Sequence, residues 1–97
     1  MGLKEAYQEK LEAQIKEWTA KLTELKAKAD KAGADAKVQM YKQIDQLRAH
    51  KEAAQQKLNE IKASRADTWE TLKAGSEKAL DEMKKTWESL RSKFHHD

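Results

Sequence analysis

Cysteine and proline are both absent from this chain, and glycine occurs only at Gly2, Gly33 and Gly75. Lack of cysteine excludes disulfides, thiolate metal sites and a cysteine nucleophile, and it fits a reducing compartment. Lack of proline removes the residue that stops helices, and so few glycines leave little to weaken one. Strand formers are scarce, with one valine (Val38), three isoleucines and one phenylalanine, so a sheet is not expected. No apolar run approaches the ~18 residues or more that a membrane span needs. The first residues, MGLKEAYQEK, lack the basic and apolar regions of a signal peptide, so a cytoplasmic location is expected. Ala6 stands where a myristoylation motif beginning at Gly2 requires serine or threonine.

A block of charge of one sign is missing too. The 20 basic and 17 acidic residues are interspersed, with 7 against 6 over residues 1–33, 6 against 4 over 34–64 and 7 against 7 over 65–97. Nucleic-acid binders usually concentrate cations on one face, and only Arg48, Arg65 and Arg91 could read phosphate in a bidentate manner. No specific nucleic-acid partner is therefore expected.

What is present is a helical composition. Charged residues make up 38% of the chain, apolar residues another 38%, and fifteen of the apolar ones are alanine. Alanine, lysine, glutamate and leucine at this level suit long helices and coiled coils. So few large apolar side chains give a thin core. Small domains bury proportionally little surface, which argues for association into a homo-oligomer.

Apolar spacing gives the layout. Leu11, Ile15, Trp18, Leu22 and Leu25 recur in steps of four and three, a heptad seam that lets one helix face another continuously. Glu12–Lys16, Glu17–Lys21 and Glu24–Lys28 place glutamate four residues before lysine on the opposite face, the better orientation for an ion pair. The spacing slips to fours at Ala32, Ala36, Met40 and Ile44. It then returns to three and four through Leu47, Lys51, Ala54, Leu58 and Ile61. At the slip, Gly33 is expected to close the first helix as a C-cap glycine, with Asp35 starting the next. Without a break there, one long helix would run through with a stutter and form a helical hairpin. At ASRADTWE, Ser64 and Asp67 match capping-box spacing, and Asp67 with Glu70 suits a helix start. A third seam follows: Trp69, Leu72, Ser76, Leu80, Met83, Trp87, Leu90 and Phe94.

The expected fold is all-α, an antiparallel three-helix bundle or coiled coil, with helices over about 3–32, 35–63 and 67–94 of a single domain. Folding back near Gly33 should bring residues whose numbers total about 68 opposite one another. The stretch RAHKEAAQQK, residues 48–57, has only three alanines for any apolar face and should be the most loosely packed helical section.

Chemistry is hard to place on such a chain. His50 has no carboxylate one turn away, and the adjacent His95, His96 and Asp97 point ~100° apart on a helix, so no metal site or cofactor is expected from them. Glu-x-x-His pairs, His-Glu-x-x-His, phosphate-binding glycine loops and G-x-S-x-G are all missing. No catalytic residue and no small-molecule substrate are expected, and the chain reads as a non-enzyme. Trp18, Trp69 and Trp87 follow the seam period and read as core or interface packing.

Three segments, KEAYQEKLEAQIKEWTAKLTELKAKAD, ADAKVQMYKQIDQLRAHKEAAQQKLNEIK and DTWETLKAGSEKALDEMKKTWESLRSKF, together resemble small bacterial coiled-coil-domain proteins of about a hundred residues. The likeness runs over nearly the whole chain, through an early tryptophan, an alanine–lysine middle and a late W-E-x-L-K with W-x-x-L. It implies a bacterial, soluble, helical and stress-linked protein, and it carries over no site residues. A looser likeness to spectrin-type three-helix repeats bears on fold alone. The expected function is self-association, or docking of a partner helix, through the seams holding Trp18, Met83 and Trp87. The alternatives are a stress protectant that folds conditionally and an amphipathic protein that binds lipid surfaces.

Overall fold

The computed structural model describes residues 2–94, and side chains as far as residue 92. His95, His96 and Asp97, and the side chain of Phe94, lie outside the described residues. Three helices follow one another: α1 (Leu3–Lys31), α2 (Ala34–Ala63) and α3 (Trp69–Phe94), and no strand occurs among the described residues. The architecture is the all-α, antiparallel three-helix bundle expected from the seam spacing. Helices of this length at ~1.5 Å per residue account for an elongated body of 50 × 19 × 17 Å.

Gly33 breaks the helix, but not as a C-cap. The chain leaves α1 through Ala32 in an extended conformation (φ −78°, ψ 160°), and the Ala32 N–H donates to Ala29 O. Gly33 is extended as well (φ −64°, ψ 162°) and serves as the N-cap of α2. Left-handed backbone, the reason for glycine at a C-cap, is not used here. Asp35 does not cap α2 but falls in its first turn, where a carboxylate complements the helix dipole.

The second connection also differs from the capping-box expectation. Ser64 ends α2 rather than starting α3, with its backbone N–H and its hydroxyl both donating to Ile61 O, the hydroxyl at 2.7 Å. A turn through residues 65–68 follows, and α3 begins at Trp69, two residues later than the Asp67 signal suggests.

Register follows from contacts between helices. Lys4 donates to Ser64 O, Glu12 pairs with Lys62 at 2.7 Å, and Tyr41 donates to Asp30. All three place α1 antiparallel to α2 close to the expected alignment. His50 meets Glu82, and Lys57 lies over Gly75, so α3 runs back alongside α2. With both neighbours antiparallel to α2, α1 and α3 run parallel.

The two sides of the bundle are built differently. α2 packs closely on both α1 and α3, while α1 and α3 approach each other much less. Side-chain size accounts for this. Ala54 and Ala79 are buried, and Gly75 lies beside Lys57, on the elements where α2 and α3 come close. Between α1 and α3 the space is filled by Tyr7, Trp18, Trp69 and Trp87. Within residues 48–57 only Ala54 is buried, and His50 meets Glu82 of α3.

Candidate interaction surface

Most of the seam residues enter the chain's own core. Leu11, Ile15, Leu22, Leu25, Ile44, Leu47, Leu58, Ile61, Trp69, Met83 and Leu90 are buried, and Trp18, Leu72, Leu80 and Trp87 pack against them half-buried. Tyr7, Ala29, Met40, Ala54 and Ala79 join this core. Ala79 lies three residues after Ser76 and four before Met83, in step with the seam, and it is buried where the neighbouring Leu80 is half-buried. Met83 is wholly enclosed, whereas Trp18 and Trp87 keep part of their surface in solvent.

The α1–α3 side is organised by two aromatic levels. At one, the Tyr7 and Trp69 rings stand 5.8 Å apart between centroids, and Lys73 Nζ lies 5.4 Å from the Tyr7 centroid and 5.9 Å from that of Trp69. At the other, Trp18 and Trp87 meet edge to face at 6.0 Å, with Lys21 over both rings at 4.6 and 5.3 Å. Edge-to-face geometry suits the ring quadrupoles, and an ammonium over the ring face adds attraction. The levels are eleven residues apart on α1, close to three helical turns. On α3 the same interval separates Trp87 from Ser76, which meets the Tyr7 hydroxyl, while Trp69 packs on the Tyr7 ring from further along the helix.

A buried polar pair fixes this alignment. Tyr7 Oη lies 2.6 Å from Ser76 Oγ, and Ser76 Oγ donates to Lys73 O at 2.8 Å. With its one proton committed to Lys73 O, Ser76 accepts from Tyr7. Burial pushes the Tyr7 phenol above its usual 10.0. An ionised Tyr7 would draw the Ser76 proton to itself, which lowers it in part, and the charge of Glu77 raises it further. We expect Tyr7→Phe to cost about 1 kcal/mol. Because the folded phenol binds its proton more tightly than the unfolded one, its contribution is complete below pH 10 and is lost as pH rises through the folded pKa. Alkaline melting curves of wild type and Tyr7→Phe should therefore converge above pH 10. Parallel curves at all pH values would show that Tyr7 is not held in this bond.

The ion pairs expected along α1 do not form. Glu12 instead reaches across to Lys62 on α2, whose hydrogen bond and charge hold its carboxyl below the usual 4.5. Lys21 lies over the tryptophans rather than beside Glu17. On α2 and α3, Lys57–Glu60, Lys73–Glu77 and Lys85–Asp81 pair along the helix. The Asp30 bond raises the Tyr41 phenol. His50 Nδ1 is 3.3 Å from Glu82 Oε2, a partner supplied by the neighbouring helix and therefore invisible to local spacing.

Because α1 and α3 stand apart, a groove of about 320 Å³ runs over their junction. Tyr7, Trp18 and Leu80 line it with Lys10, Lys84, Glu77 and Asp81. Two cations and two anions flank an apolar floor. Among the described residues, no three histidine, cysteine, aspartate or glutamate side chains gather to hold a metal ion, and no helix is long and apolar enough to cross a membrane. Neither a protein-family profile, a curated protein nor a solved structure matches the chain.

Proposed function

We infer that this chain is a non-enzymatic helical interaction protein that pairs with a second copy of itself along the α1–α3 groove. The observation that carries the reading is the half-buried Trp18 and Leu80, which the chain's own core leaves partly uncovered. A partner helix of similar chemistry would use the same floor. A second copy suits the groove because its flanks carry both signs of charge in equal number. A two-fold axis can then set the cations of one copy against the anions of the other. The likeness to small bacterial coiled-coil-domain proteins adds a cytoplasmic, stress-linked setting to this reading.

Sedimentation equilibrium provides the test. Wild type is expected to form a dimer, and Leu80→Lys a helical monomer, because a lysine on the floor must be desolvated for the copies to close. Charge reversal at the rim, Lys10→Glu with Lys84→Glu, should also weaken the dimer while leaving the core untouched. A wild-type chain that stays monomeric at high concentration would sink the self-association reading.

A further inference from the structure

At the end of the bundle where α1 passes into α2, the three helices leave a recess of about 480 Å³. Its origin is legible in the seam. The spacing slips to fours at this point, and Ala32 and Ala36 occupy positions where larger side chains would fill the space. Leu25, Met40, Trp87 and Leu90 form the apolar floor. Lys28 from α1 and Arg91 from α3, both exposed, complete the lining, and it contains no carboxylate among the described residues. Neither cation pairs with a described acid. Lys28 stays apart from Glu24 four residues before it.

The combination specifies a ligand chemistry. The volume lies within the ~300–1,000 Å³ of small-molecule sites. An apolar floor takes a hydrocarbon chain at ~0.8 kcal/mol per buried methylene. Two cations at the rim, paired with no acid among the described residues, take an anionic head, and the arginine fork can hold a carboxylate by two hydrogen bonds. A helix from another protein fits less well, since a helix is ~10–12 Å across and the whole bundle is only 19 × 17 Å in cross-section. A second copy would present mixed charges, whereas this rim is of one sign.

We propose that the recess binds a single-chain fatty carboxylate, its chain over Leu25, Met40, Trp87 and Leu90 and its head between Lys28 and Arg91. This site is separate from the α1–α3 groove and does not depend on the pairing of two copies.

Laurate, titrated below its micellar concentration, is the probe, followed by calorimetry and by tryptophan fluorescence, since Trp87 lines the site. Saturable binding of one laurate per chain is expected. Lys28→Gln with Arg91→Gln should weaken it by about tenfold or more, as loss of charge-assisted hydrogen bonds implies. Both substitutions are on the surface, and the variant should remain as helical as wild type by circular dichroism. Dodecanol, with the same chain and no charge, should bind at least about tenfold more weakly. Ala36→Leu, which fills the recess, should abolish binding without changing the sedimenting mass. No saturable binding, equal affinity for laurate and dodecanol, or several laurates per chain would each overturn the proposal.

Discussion

Leu47→Ala is expected to destabilise the fold by about 2–5 kcal/mol, the cost of a cavity in a core that cannot fully close around it. Leu47 is wholly enclosed and belongs to α2, the helix that packs closely on both others. Its truncation therefore leaves a cavity at the helix that both packing interfaces share. Domains of this size are stable by only ~5–15 kcal/mol, and each kcal/mol moves the melting temperature by ~4–8 °C. A fall of ~10 °C or more is expected in a thermal melt, with a matching shift of the urea midpoint and an unchanged slope. Leu3→Ala provides the contrast. Leu3 is 78% exposed, and its truncation should stay within ~0.5 kcal/mol of wild type. If the two variants melted alike, the assignment of Leu47 to the core would be wrong.

Trp69→Ala should be comparably severe, at about 3–5 kcal/mol. The indole is buried at the first turn of α3, directly after the turn that reverses the chain from α2. It packs on Tyr7, and Lys73 lies against both rings. Removing it takes away the largest apolar surface that joins the start of α3 to the start of α1. The Tyr7–Ser76 bond would then lose its cover from water, and the Tyr7 phenol should titrate closer to its usual 10.0 than in wild type. Urea denaturation measures the first effect and the alkaline absorbance of tyrosine the second. A loss below ~1 kcal/mol, with Tyr7 titrating as before, would show that the indole is not part of the core.

Several features of this fold are local, and local spacing reveals them. Steps of three and four from Leu11 to Leu25, and from Trp69 to Leu90, place large side chains on one stripe of a helix wherever the helix lies. A polar gap at 64–68 and a phase slip at 32–36 divide the chain because neither continues a stripe. Cap chemistry proved less readable. Gly33 and Ser64 are both helix-boundary residues, yet each acts at the opposite helix end from the one its type suggests. Glycine at an extended position has no side chain to declare its role, and a serine hydroxyl bonds a C-terminal carbonyl as readily as an N-terminal amide.

Features that depend on neighbouring helices were hidden. Glutamate–lysine pairs one turn apart are worth only ~0.2–0.5 kcal/mol. A lysine of another helix, or a tryptophan face, readily replaces them, as Glu12 and Lys21 illustrate. Spacing marks which residues share a face but not which helix that face meets. The Glu82 partner of His50 and the width of the α1–α3 groove could not be read for that reason. Ser76 lies on the seam by spacing, but its hydroxyl gave no sign that Tyr7, far away in sequence, would satisfy it.

A thermal melt followed by circular dichroism, at two protein concentrations tenfold or more apart, tests the central claim most directly. A bundle that pairs through the α1–α3 groove should be highly helical and melt cooperatively, with a midpoint that rises with concentration because association stabilises by mass action. Cooperative melting at the same temperature at both concentrations would contradict self-association while leaving the three-helix core intact. Weak helicity with a shallow, non-cooperative loss would contradict the core itself.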